Sequence, residues 1–134
     1  MYEELDAVLS ENSSDDSFYD DGVTYAEELL NDFTDPDWEK IFQNIHSKDD
    51  KWKVRLAYCI DDDLGINGLK LLLSMLGETD EVVEYVIDSL RSFNTEEYKE
   101  IISSNTQVVE KAQNLLKNAS LPVKRVIEEF LLKQ

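Results

Sequence analysis

The chain has one cysteine, one histidine, two prolines and four glycines in 134 residues. A lone cysteine closes no internal disulfide. Cys59 lies in the apolar run Leu56-Ala57-Tyr58-Cys59-Ile60 with no histidine near it in sequence, so a buried structural thiol is expected there and not a nucleophile. The lone histidine, His46, has Phe42 and Asp50 as its neighbours four residues away, which leaves no zinc pair and no histidine-based triad. A Cys-x-x-Cys pair, a glycine-rich phosphate loop and a nucleophile beside a base are also missing. Carboxylates are plentiful, but in exposed polar runs they lack the apolar pocket or fixed like charge that tunes a general acid. Catalysis is therefore not expected.

Long hydrophobic runs are missing too. The most apolar stretch, Leu69 to Leu76, is broken by Lys70 and is far too short to cross a bilayer. The opening Met1-Tyr2-Glu3-Glu4-Leu5-Asp6 is acidic where a secretory signal or a mitochondrial presequence needs positive charge. The expectation is a cytoplasmic protein. Basic residues are scarce in one part of the chain only: residues 1 to 50 hold 16 acidic groups against Lys40 and Lys48, whereas residues 51 to 134 hold 14 against 11. The net charge of −17 thus belongs almost entirely to the N-terminal part. Its field repels nucleic acid and anionic membranes, attracts basic proteins and speeds encounter with them.

What the sequence does contain is helical period. Strict alternation of apolar and polar residues is almost absent, so a sheet has little to be built from. Trp38, Ile41, Phe42 and Ile45 follow the i, i+3, i+4, i+7 spacing behind Asp35-Pro36, a capping carboxylate and a first-turn proline. Ser47, with Asp50 three residues on, reads as the cap of a helix over about 48–60. That helix and its successor over about 64–76 are apolar on more than one face and form the expected central core. Gly77 stops the second, and Thr79 caps a helix with Val82, Val83, Val86, Ile87 and Leu90 on one stripe. Further helices are expected near 95–103 and 106–117, and one from Leu121 started by Ser120 and Pro122. The fold class is all-α: seven to nine short helices in one domain over 1–134, arranged as an α-solenoid or an irregular helical bundle, with acidic helices and a loop in 1–34.

Asp80-Glu81-Val82-Val83-Glu84 and Asn105-Thr106-Gln107-Val108-Val109-Glu110 share a Val-Val-Glu core 26 residues apart, each followed by a leucine at the same offset, Leu90 and Leu116. Asp50-Lys51-Trp52-Lys53-Val54-Arg55 and Leu121-Pro122-Val123-Lys124-Arg125 open alike. A helix pair repeating at this period would be an α-solenoid. Any capped amphipathic helices would share as much.

The acid runs fail as calcium loops. Counted from Asp61, positions 5, 6 and 12 are Gly65, Ile66 and Leu72; from Asp35, position 6 is Lys40; from Asp15, position 6 is Asp20 and the glycine comes two places late. No metal or cofactor is assigned, although an irregular cation site stays open. Asp61-Asp62-Asp63 supplies the following helix with one cap and leaves two carboxylates for a partner. The segment Asp15-Asp16-Ser17-Phe18-Tyr19-Asp20-Asp21-Gly22 sets two large aromatics among four carboxylates. They either dock on the core or stand exposed as interface anchors.

The run Lys51-Trp52-Lys53-Val54-Arg55-Leu56-Ala57-Tyr58-Cys59-Ile60, with the Leu64 to Leu76 helix and the Val82-Val83 helix after it, resembles the small HEAT-like immunity proteins of bacterial toxin and immunity pairs, in particular those of contact-dependent growth inhibition. The likeness spans roughly residues 36 to 134. It implies HEAT-like repeats over 35–134 and a cofactor-free protein that binds and blocks the toxin domain of a secreted effector, commonly an RNase or DNase with a basic cleft. Such families share no fixed contact residues, so the expected contacts come from the charge pattern: Asp15, Asp16, Asp20 and Asp21 as charge partners, Phe18 and Tyr19 as anchors, and Asp35, Asp37, Asp61, Asp62 and Asp63 as flanking acids. The expected assembly is a monomer in a 1:1 complex, with no direct contact to nucleic acid or membrane. The rival readings are a DNA mimic or adaptor for another basic protein, and an enzyme using carboxylates on a metal.

Overall fold

The computed structural model describes residues 1–11, 17–117 and 121–132. They form α1 (Tyr2–Ser10), a π-helical turn (Phe18–Gly22) that runs into α2 (Val23–Asn31), α3 (Asp35–Asn44), α4 (Asp50–Tyr58), a 3-10 turn (Asp62–Leu64), α5 (Gly65–Ser74), α6 (Asp80–Leu90), α7 (Glu96–Ser104), α8 (Thr106–Leu116) and α9 (Leu121–Leu132). No strand occurs among the described residues. The chain is an all-α helical bundle, as the apolar spacing predicts, and among the described residues no helix is long and apolar enough to cross a membrane.

Polar residues at the helix starts set the boundaries, and several differ from the expected ones. The cap position of α3 is Thr34, with Asp35 and Pro36 inside the first turn and Asp37 reaching back to it. Asp49, not Ser47, caps α4: its Oδ1 accepts from the Trp52 N–H at 2.9 Å, while the Ser47 hydroxyl donates back to the Asn44 carbonyl at 2.7 Å. Thr79 precedes α6 as expected, but its hydroxyl donates to Asp50 Oδ2 at 3.0 Å, which ties the start of α6 to the start of α4. Thr95 and Asn105 cap α7 and α8, accepting from Tyr98 N and Gln107 N. A side-chain cap of this kind contributes about 1 kcal/mol. Ser120, expected to start α9, lies outside the described residues.

Packing advances along the chain: α1 on α2, α3 and α4; α4 on α6; α6 on α5, α8 and α9. The helices that share Val-Val-Glu, α6 and α8, each have 11 residues and pack on one another. One continuous buried cluster runs from Tyr2 to Phe130.

The centre is α4, which buries Trp52, Val54, Leu56 and Ala57 and with them two cations, Lys53 and Arg55. Buried cations need partners that replace their water. Lys53 Nζ lies 2.7 Å from Glu78 Oε2. Arg55 Nη1 donates to the Glu11 carbonyl at 3.1 Å, and its guanidinium stands 4.6 Å over the Phe18 ring centroid. The sequence expectation of a core helix holds, but two of its charged positions, Lys53 and Arg55, are as buried as its apolar ones.

Candidate partner-binding surface

The π-helical turn sets the geometry of the expected contact segment. Its widened spacing lets the Val23 N–H bond to the Phe18 carbonyl, and it turns the Phe18 ring inward until 2 % of the residue is exposed. There the ring meets Tyr19 edge-on at 5.4 Å and lies beneath Arg55. Gly22 completes the seat: a Cβ at that position would stand 2.8 Å from Phe18 Cδ2. Phe18 is therefore not a contact anchor. It is the staple that fixes the turn, because the apolar ring gains more from the core than from solvent.

Tyr19 is half-buried and packs edge-on against Tyr58 at 4.7 Å. Tyr58 lies in the apolar run Leu56 to Ile60, yet it stands 49 % exposed at the end of α4. The exposed aromatic feature beside the π-turn is thus a Tyr19–Tyr58 pair with Tyr58 outermost. The signal for it in the sequence is its place at the last turn, three residues before an acidic triplet.

Two acidic edges flank this pair. Asp20 and Asp21 are exposed on the π-turn directly after Tyr19. Asp62 and Asp63 are exposed on the 3-10 turn that follows α4, with Asp61 half-buried. Asp61 Oδ1 accepts from the Asp63 N–H at 3.0 Å, so it is the cap of that turn and the other two are the outward carboxylates. The 3-10 turn packs on α2 and α5, and this brings Glu27 of α2 into the group: burial first, and then the charges of Asp61 and Asp63, push its carboxyl upward. Glu27 carries no signal of this in the sequence, since Asp61 and Asp63 join it only through the fold. Oxygens of Asp61, Asp62 and Asp63 lie within 4.8 Å of one another, which makes them the group among the described residues that could hold a hard cation.

Compared with family models, curated proteins and solved structures, the chain matches none. What the surface can do must accordingly be read from its own geometry.

That geometry separates acids that are already engaged from acids that are not. On α1, Glu3 pairs with Lys40 at 2.9 Å, Glu4 accepts from the Tyr25 hydroxyl at 3.3 Å, and Asp6 binds Lys48 and the Trp52 indole N–H, each at 3.0 Å. Asp37, expected as a flanking acid, is 7 % exposed. Its Oδ2 accepts from Thr34 N at 3.0 Å and Thr34 Oγ1 at 2.9 Å, and its Oδ1 accepts from Tyr2 N at 3.1 Å. The backbone bond from Thr34, more than any other interaction, lowers its carboxyl to about 2. Asp37 therefore joins α3 to α1 and cannot meet a partner.

By contrast, the carboxylates of Asp20, Asp21, Asp62 and Asp63 form no ion pair among the described residues. Asp35 is also exposed, but it opens α3, which packs on α1, whereas the 3-10 turn packs on α2 and α5. Asp15 and Asp16 lie outside the described residues. Cys59, next to Tyr58, is 4 % exposed, and burial pushes its thiol up to about 12, so the surface offers no nucleophile there.

Proposed function

We propose that this chain is an immunity protein that neutralises a bacterial toxin domain, a nuclease, by covering its basic substrate cleft. The observation that carries the reading is the set of exposed acids without ion pairs among the described residues, Asp20, Asp21, Asp62 and Asp63, together with the exposed Tyr58 that packs on Tyr19, on a chain of net charge −17. A nuclease cleft is built to hold phosphates, and fixed carboxylates beside an aromatic can occupy it in their place. Rim charges of this kind speed association, while Tyr58, backed by Tyr19, supplies the contact that slows dissociation.

The test begins with capture. Proteins from the native host are bound to the purified chain at low salt, and the C-terminal domain of a captured secreted effector is expressed with and without it. The expected result is growth arrest and nucleic-acid cleavage, both relieved by the chain. A quadruple variant, Asp20→Lys, Asp21→Lys, Asp62→Lys and Asp63→Lys, should lose protection and associate at least about tenfold more slowly, with helicity unchanged. Undiminished protection by this variant would overturn the proposed surface, and a captured effector that is not inhibited would overturn the function.

A further inference from the structure

A groove of about 250 Å³ lies between α6 and α9, lined among the described residues by Glu84, Tyr85, Asp88 and Val126. Tyr85 also lines a second cleft, of about 220 Å³, together with Tyr19, Lys51, Val54, Arg55 and Glu81. Tyr85 thus borders both the groove and the cleft beside Tyr19.

The groove has two chemical characters. Tyr85 and Val126 give it an apolar floor; Glu84 and Asp88, one turn apart on α6, give it an anionic rim. The far end of that rim is already engaged by a guanidinium from this chain: Arg91 bridges Asp88 at 3.0 Å and Glu129 of α9 at 3.2 Å. Glu84, one turn nearer the start of α6, is half-buried and forms no hydrogen bond or ion pair among the described residues. Burial, and then the charges of Asp80 and Glu81, push its carboxyl upward, so its ionised form lacks a counter-charge.

We infer that the groove between α6 and α9 receives an arginine side chain of the basic partner, its aliphatic stem on Tyr85 and Val126 and its guanidinium on Glu84. Arginine suits the site better than lysine, because its planar fork lies flat on an aromatic ring and meets a carboxylate with two donors. The inference rests on the partner being basic, as proposed above, and it adds a second point of contact at Tyr85.

The test needs no identified partner. The labelled full chain is titrated with N-acetylarginine amide, its lysine counterpart and its uncharged citrulline counterpart at constant ionic strength, and backbone amide shifts are followed by NMR. Arginine should produce saturating shifts centred on Glu84, Tyr85, Asp88 and Val126, lysine weaker ones and citrulline none. Glu84→Gln, with unchanged circular dichroism, should weaken binding about three- to fivefold. Shifts that are equal at Asp20, Asp21, Asp62 and Asp63, equal for citrulline, or unchanged in Glu84→Gln would overturn the inference. The outcome is independent of toxin inhibition: groove shifts can persist where no nuclease is inhibited, and protection can hold where the groove stays silent, so each idea fails by its own result.

Discussion

Replacing Asp37 by asparagine isolates the join between α1 and α3. The substitution keeps shape and one acceptor, but it removes the charge and sets an amide NH₂ against the Thr34 N–H and hydroxyl, which are donors, or else against the Tyr2 N–H. The lowering of the carboxyl from its ordinary 3.8 to about 2 corresponds to about 2.4 kcal/mol; residual contact with water reduces this to about 2. With a urea slope of roughly 1.5 kcal/mol/M, the unfolding midpoint should fall by about 1.3 M near pH 6. Because the folded carboxyl titrates below the unfolded one, its contribution is complete above about pH 4 and is lost as pH falls toward 2. The gap between wild type and Asp37→Asn in urea titrations followed by tryptophan fluorescence should therefore be full at pH 6 and shrink steadily below pH 4. A gap under about 0.5 kcal/mol at pH 6, or one that stays constant down to pH 2, would refute the assignment. Partner binding near neutral pH should be unaffected, since this carboxylate faces inward.

Two other measurements probe the π-turn and the core. Gly22→Ala should destabilise by about 1–3 kcal/mol despite the better helix propensity of alanine, because the added methyl would meet the Phe18 ring at 2.8 Å; a thermal midpoint at or above wild type would mean that the ring is not seated there. Cys59, with its thiol raised to about 12, should stay unreactive to a thiol reagent at pH 8 and react fully in urea; rapid reaction in native buffer would contradict its burial.

The helices were legible because capping and apolar spacing are local. Val82, Val83, Val86, Ile87 and Leu90 fix the buried stripe of α6 within a single stretch of chain. Three features were not legible, and each depends on a distant residue. Asp37 reads as another exposed acid until Tyr2, 35 positions away, donates to it. Phe18 and Tyr19 are adjacent and chemically alike, yet one goes inward and the other to the edge of the surface, because the guanidinium that covers Phe18 comes from α4. Tyr58 sits in an apolar run but emerges at the end of α4, where its ring faces Tyr19 of the π-turn. The acidic bias of the N-terminal part was plain in the sequence; which acids stay unpaired depended on where Lys40, Lys48 and Trp52 come to rest.

Arg55 grips both the Glu11 carbonyl, 44 positions earlier, and the Phe18 ring. During synthesis the acidic segment leaves the ribosome first, but its seat does not exist until α4 has followed and folded. Contacts of such separation form late relative to local helices. A nascent or truncated chain ending before α4 would carry the acidic sequence without the contacts of Arg55 that seat it, so the binding proposed for this surface would begin only when the central helix is complete.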